Sequence, residues 1–276
     1  MRIMSDKFLV FTDLDGTLLD HSTYSFKAAE PALQILKDRN IPLIICTSKT
    51  RAEIEYYRNL LDNDCPFISE NGAAIYIPES CFTHGFEYDK SIDGYRVIEF
   101  GTERETLIKT LESVSTETGI AIKGFSEMSE EELAESTGLE TELARLAAER
   151  EYSEPFIISG GSNEYDRVRR EIEMKGFRYT RGGRFHHILG MNDKGRAVDR
   201  LTGIYAREYV KAPVSVAIGD SLNDLPMLEK VNVPILVQKQ NGEYDGNIKL
   251  DNITRAEGIG PEGWNIYILK LFMNNN

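Results

Sequence analysis

The stretch Phe8-Leu-Val-Phe-Thr-Asp-Leu-Asp-Gly-Thr-Leu-Leu19 constrains this chain most. Phe8 to Phe11 is an apolar run that reads as a short buried strand. It ends in Asp13 and Asp15, and Gly16 and Thr17 turn the chain away. In open α/β sheets, ligands bind at the carboxyl ends of strands. Two carboxylates packed so closely repel each other unless a cation lies between them. A hard divalent ion such as Mg²⁺, which takes oxygen ligands, is the simplest counter-ion. Asp-Gly is also a common turn dipeptide, so the motif alone is ambiguous. The ambiguity narrows because Val214-Ser-Val-Ala-Ile-Gly-Asp-Ser-Leu-Asn-Asp224 repeats the design, with Asp220, Asn223 and Asp224 after a second apolar strand. On neighbouring strands of a parallel sheet, the two acidic ends can share one cation.

Strand and helix signals alternate around these motifs. Strands are expected at Phe8–Phe11, Pro42–Cys46 and Phe67–Ser69, and helices at about 25–39 and 51–61. Such alternation with short connections predicts a parallel sheet. After Pro78 the pattern changes. Tyr95–Phe100 alternates like a strand with one wet face. Helices at about 104–118, 129–136, 140–150 and 164–175 are interleaved with strands near 120–125 and 154–159. Parallel alternation returns at 194–209, 214–218, 223–230 and 233–237. A glycine-rich turn, 258–264, and a last helix to Phe272 close the chain, with Trp264 read as packing. The expected architecture is a Rossmann-like α/β core of 1–82 and 191–276, interrupted by an α+β insertion of 83–190 with an antiparallel sheet.

Composition limits the partners. Against 45 Asp and Glu stand 32 Lys and Arg, a net charge of −13, which argues against sequence-independent nucleic-acid binding. A local basic cleft can still focus the field on a small anion. No stretch reaches the ~18 apolar residues of a membrane span, and Met1–Lys7 lacks the apolar run of a signal peptide. The 3 cysteines, Cys46, Cys65 and Cys81, have no metal-ligand spacing and suit a reducing cytoplasm. The acidic runs of the middle part read as solvated helix faces. Oligomeric state is not encoded in any of these features.

Four pieces carry chemistry: Asp13-x-Asp15-Gly-Thr17, Thr47 with Ser48 and Lys49 at the end of the second strand, Lys194 opening a helix, and Gly219-Asp-Ser-Leu-Asn-Asp224. A carboxylate nucleophile, a strand-end hydroxyl, a lysine and an acidic metal loop are what phosphoryl transfer through an aspartyl-phosphate requires. In this order the pieces resemble the haloacid dehalogenase superfamily of phosphatases, and the insertion resembles its C2-type cap. Thr47-Ser-Lys-Thr-Arg-Ala-Glu53, Phe67-Ile-Ser-Glu-Asn-Gly-Ala73, Arg150-Glu-Tyr-Ser-Glu154, Gly182-Gly-Arg-Phe-His-His187 and Asn192-Asp-Lys-Gly195 further resemble the mannosyl-3-phosphoglycerate phosphatase family. Lys49 stands where broader relatives often carry Arg, a departure that matches the narrower family.

The resemblance implies Asp13 as nucleophile and Mg²⁺ ligand, and Asp15 as general acid and base that ligates Mg²⁺ through its backbone carbonyl. It implies Thr47 and Lys194 on the phosphoryl group, and Asp220 as the third protein ligand with Asp224 and Asn223 supporting the metal. For the substrate it points to Ser48, Lys49, Glu70, Asn71, Gly72, Arg181, Gly183, Arg184 and His186. An arginine suits a glycerate carboxylate because bidentate pairing fits. His186 and His187 point to opposite faces of a strand, so at most one faces the site. Glu70-Asn71-Gly72 could equally be a plain turn, and the Arg181–Arg184 hairpin a solvated one. The implied reaction is hydrolysis of mannosyl-3-phosphoglycerate to mannosylglycerate and phosphate, a step in compatible-solute synthesis. The glucosyl analogue, a broad sugar-phosphate phosphatase and a non-catalytic binding protein are the alternatives. A binding protein would have little need for both Asp13 and Asp15.

Overall fold

The computed structural model describes residues 7–182 and 185–273. Along the chain the elements are β1 (Phe8–Thr12), α1 (Glu30–Asp38), β2 (Leu43–Cys46), α2 (Arg51–Leu61), β3 (Phe67–Ser69), β4 (Ala74–Pro78), β5 (Lys90–Ile92), β6 (Tyr95–Glu99), α3 (Arg104–Thr118), β7 (Ile122–Gly124), α4 (Glu130–Thr137), α5 (Thr141–Ala148), β8 (Ser153–Ile158), α6 (Ser162–Met174), β9 (Arg178–Gly182), β10 (Phe185–Leu189), α7 (Lys194–Glu208), β11 (Val214–Gly219), α8 (Leu225–Leu228), β12 (Val233–Gln238), β13 (Thr254–Ile259) and α9 (Pro261–Met273). No helix among the described residues is long and apolar enough to cross a membrane.

The chain divides into two compact units. One takes in the described residues of Met1–Thr47, Asn63–Ile98 and Asp193–Asn276. Its nine-stranded sheet runs β13-β12-β11-β1-β2-β3-β4-β6-β5. From β13 to β3 every pairing is parallel. β4 returns antiparallel to β3, and β5 and β6 form an antiparallel pair at that edge. Leu9, Val10, Phe11 and Thr12 of β1 are all buried, as a central parallel strand covered on both faces requires. Parallel order brings the carboxyl ends of β11, β1 and β2 side by side, and each strand runs directly into a residue singled out above: Asp220, Asp13 and Thr47.

The other unit comprises Ser48–Asp62 and Glu99–Asn192. Its four-stranded sheet runs β7-β8-β10-β9, antiparallel throughout. Helices α3 and α6 cover one face, where Leu107, Leu111, Val114, Val168 and Ile172 pack on Phe156, Ile158 and Ile188. Burying each such side chain contributes roughly 1.5–3 kcal/mol. A second cluster joins Phe125, Leu133 and Ala144 with Phe185.

Two features differ from the sequence expectation. The boundary expected after residue 82 falls after Ile98, because β5 and β6 continue the nine-stranded sheet. The alternation of Tyr95–Glu99 shows a strand but not which sheet it joins. Helix α2 packs with the smaller unit: Thr50 Oγ1 donates to the Leu146 carbonyl at 2.8 Å, Arg51 Nε meets Glu151 at 3.2 Å, and Arg150 Nη1 donates to the Ser48 carbonyl at 3.3 Å.

Candidate active site

Three of the sequence motifs, the Asp13 turn, Lys194 and the acidic loop, meet at one ammonium. Lys194, the first residue of α7, is fully buried. Its Nζ lies 2.8 Å from Asp13 Oδ1 and 2.6 Å from Asp224 Oδ1. Burial works against the charged lysine, but Asp13 and then Asp224 outweigh it and raise the pKa above the ordinary lysine range.

Three carboxylates surround it. Carboxylate oxygens of Asp13, Asp220 and Asp224 all lie within 4.8 Å of one another. Asp224 is held hardest: Oδ1 takes Lys194, and Oδ2 accepts the backbone N–H groups of Asp220 at 3.0 Å and Ser221 at 3.1 Å. This folds the acidic loop back on itself. Gly219 permits it, since a Cβ there would sit 2.5 Å from the Asp224 side chain. Asp220 Oδ1 accepts the Ser221 hydroxyl at 2.7 Å. Burial, and behind it the Asp13 charge, raises the Asp220 pKa. Counted as ionised, three carboxylates against one ammonium leave the cluster two charges short of neutral. Burial, opposed by Lys194 and helped by the Asp13 charge, pushes the Asp224 pKa up to about 7, so the crowding is felt as a proton held there when no cation is bound. Hard oxygen donors with that deficit fit a divalent cation.

Thr47 supplies a different group. It is fully buried, and its Oγ1 has no hydrogen-bond partner among the described residues. Such a hydroxyl costs about 1–3 kcal/mol unless a ligand satisfies it. Asp15 is half-buried within the tight 14–19 loop, where Gly16 N–H donates to the Leu19 carbonyl and Leu19 N–H to that of Leu14, at 3.0 and 2.8 Å. Beneath Asp13 runs a relay that no sequence motif signals. Trp264 Nε1 donates to Thr12 Oγ1 at 3.1 Å, and that hydroxyl donates to the Asp13 carbonyl at 2.7 Å. The residues are too far apart in the chain for any local signal to show it.

The remaining singled-out residues fall elsewhere. Glu70 is buried, and Glu70, Asn71 and Gly72 form a left-handed turn in the same unit as the acidic cluster. In the smaller unit, Ser48 is half-buried and Lys49 is 7% exposed. Lys49 Nζ meets Glu53 Oε1 at 3.1 Å. Glu53 also caps α2, its Oε2 accepting the Thr50 N–H at 2.9 Å. The Thr-x-x-Glu spacing of residues 50–53 is a capping-box signal visible in the sequence. Burial opposes ionisation of Glu53, but Lys49 and then Arg150 lower its pKa.

His186 lies in the smaller unit. It pairs with Phe156 on β8 and Arg181 on β9, which puts all three on the helix-covered face. The residue is 2% exposed, and its ring lies against those of Phe156, Tyr165 and Tyr179 and meets the Tyr179 hydroxyl at Nδ1. Arg181 joins the same face, its guanidinium 5.1 Å over the Tyr165 ring. The pleat sends His187 and Thr180 to the opposite face. Gly183 and Arg184 lie outside the described residues.

Comparison with known proteins agrees with the geometry. Residues 10–245 match the haloacid dehalogenase-like hydrolase family. A glucosyl-3-phosphoglycerate/mannosyl-3-phosphoglycerate phosphatase of Methanococcoides burtonii is 50% identical over 270 residues, 98% of this chain and 99% of that one. One of Persephonella marina, with the same two substrates in its name, is 40% identical over 264 residues, covering 95% and 96%. A crystal structure of a Thermoplasma acidophilum protein superposes with a TM-score of 0.67 over 98% of this chain and 99% of that chain, at 23% identity, and so speaks for the fold alone. The chain belongs to the haloacid dehalogenase-like hydrolases and, within them, to the family of the glucosyl- and mannosyl-3-phosphoglycerate phosphatases.

Proposed function

We propose that the chain is a cytoplasmic, Mg²⁺-dependent phosphatase that hydrolyses mannosyl-3-phosphoglycerate, and its glucosyl analogue, to the glycosylglycerate and phosphate. The observation that carries the chemistry is the buried Asp13–Lys194–Asp224 arrangement with Asp220 beside it, two charges short of neutral. The near full-length likeness to relatives named for these substrates supports the substrate.

Asp13 is the nucleophile. Its carboxylate oxygen attacks phosphorus, and the bond from phosphorus to the glycerate oxygen breaks. Asp15 gives its proton to the leaving alkoxide, then takes one from the water that attacks the aspartyl-phosphate, which breaks the bond from phosphorus to the Asp13 oxygen, frees Asp13 and releases phosphate. Lys194 and the Thr47 hydroxyl hold the phosphoryl oxygens, and Lys194 also orients Asp13. Asp13, Asp220 and the Asp15 carbonyl would hold Mg²⁺, which when bound supplies positive charge that offsets repulsion between carboxylate and phosphate. Asp224, with both oxygens engaged, serves the site by holding Lys194 and the loop.

The smaller unit acts as a cap. Lys49 and Arg184 are its candidates for the glycerate carboxylate. Phosphate release from mannosyl- and glucosyl-3-phosphoglycerate, beside simple sugar phosphates and with Mg²⁺ supplied or chelated, tests this reading. Preference for the glycosyl-phosphoglycerates that vanishes on chelation is expected. Equal kcat/KM across the panel contradicts the substrate, and metal-independent turnover contradicts the mechanism.

A further inference from the structure

Glu70, Asn71 and Gly72 all adopt left-handed backbone, with φ of 44°, 59° and 84°. Glycine enters this region freely and asparagine readily, but for Glu70 it is strained and persists only where the surroundings over-determine it. Here the surroundings are three parts of the site. Asn71 N–H donates to the Thr47 carbonyl at 2.9 Å, while Thr47 N–H donates to the Ile68 carbonyl at 3.1 Å, so the residue carrying the unpartnered hydroxyl is gripped from both sides. Gly72 lies against the chain that delivers Lys194: a Cβ there would be 2.1 Å from the Asp193 carbonyl oxygen and 2.7 Å from the Lys194 nitrogen. Asn71 Oδ1 accepts Asn223 Nδ2 at 3.3 Å, and Asn223 sits between Asp220 and Asp224 in the acidic loop.

We propose that this turn is a positioning device for the phosphatase site, with Asn71 as the residue that ties the Thr47 strand end to the acidic loop. It acts through Thr47, Lys194 and the acidic loop, and the sequence-based assignment of Asn71 to substrate contact is replaced. The proposal rests on the phosphatase reading above.

Asn71→Gly separates this role from support of the fold. Glycine accepts φ near 59° without strain and keeps the N–H to Thr47, while the side-chain tie to Asn223 is lost. Losing one such hydrogen bond predicts a kcat about tenfold lower and Mg²⁺ binding several-fold weaker by calorimetry without substrate. KM and Tm should stay within error. Asn71→Asp, which retains the acceptor and tolerates the turn, should restore Mg²⁺ binding. Combining Asn71→Gly with Asn223→Ala should cost no more than Asn223→Ala alone, as for two members of one contact. A raised KM with unchanged kcat and Mg²⁺ affinity would restore the substrate-contact role and overturn the proposal. Unchanged kcat, KM and Mg²⁺ affinity would overturn it too. The calorimetric measurement needs no substrate, so wild type that ignores glycosyl-3-phosphoglycerates would sink the substrate assignment and leave this test intact.

Discussion

Glu154 in the smaller unit and Asp224 in the larger are both fully buried carboxylates, yet their surroundings differ in kind. Glu154 Oε2 meets Arg104 Nε at 2.5 Å, and Oε1 accepts the Ser126 N–H at 2.8 Å. That arrangement closes at zero charge. Asp224 shares Lys194 with Asp13, and Asp220 lies beside them, so that cluster closes at minus two. A fold that merely buries charge stops at a neutral, hydrogen-bonded pair. An uncompensated cluster of titratable groups at adjacent strand ends marks a functional-site candidate. Burial alone therefore does not mark the site; the unbalanced sum does.

The widest separation between the two regions should come from Asp13→Asn. An amide is a far weaker nucleophile, so phosphate release should fall below about one thousandth of wild type. Tm of the metal-free protein should hold or rise, because one of three crowded carboxylates is neutralised. A clear Tm drop in that variant would show that the cluster is structural, like Glu154. Asp15→Asn should follow, losing roughly 10²–10⁴-fold in rate, the usual general acid–base contribution, with calorimetric Mg²⁺ binding retained. Lost Mg²⁺ binding would show that its carboxylate, and not its carbonyl, is the ligand.

Glu154→Leu should invert the pattern. Removing one partner of a buried pair costs about 3 kcal/mol of stability, read in a denaturant melt, while kcat at a permissive temperature stays near wild type. A kcat loss with unchanged stability would erase the contrast. Mg²⁺ binding should likewise be visible as stability: at a hundred times Kd it adds about 2.7 kcal/mol, and Asp220→Asn should abolish that rise in Tm. The smallest effect belongs to Glu53. Its folded pKa is lowered from 4.5, so its ionised form contributes stability that is present above pH 4.5 and lost as pH falls through the lowered value. Glu53→Gln should therefore lower Tm by a few degrees at pH 7, about 2–4 °C per kcal/mol, and the gap should close on acidification below 4.5. A gap that widens toward low pH would reverse the sign and contradict the pairing with Lys49.

The parts of the molecule that sequence revealed are those governed by local rules. Helix α2 spans Arg51–Leu61 as its pattern predicts, because Thr50 and Glu53 close a capping box at its start. Helix α3 also has the expected bounds, Arg104–Thr118, ended by Gly119 at φ 68°. Asp13, Thr47, Lys194 and Asp220 could be brought together because each ends a strand or opens a helix. What stayed hidden depends on tertiary context. β13, Thr-Arg-Ala-Glu-Gly-Ile, is an edge strand in which only Ala256 is buried, so no apolar alternation betrays it. The face of His186 is set by its register with Phe156, a partner the sequence does not name. The turn of Glu70–Gly72 was visible as a turn, but its grip on Thr47, Lys194 and Asn223 comes from chain segments far along the sequence.

The central claim is that Asp13 becomes covalently phosphorylated. Rapid acid quench during turnover of glycosyl-3-phosphoglycerate with Mg²⁺, followed by borohydride reduction and peptide mass spectrometry, tests it directly, since an aspartyl-phosphate is reduced to homoserine. The account predicts homoserine at position 13, at no other aspartate, and none when substrate is omitted. Homoserine at position 15 or 220 instead, or none at position 13 while substrate is being consumed, would contradict it.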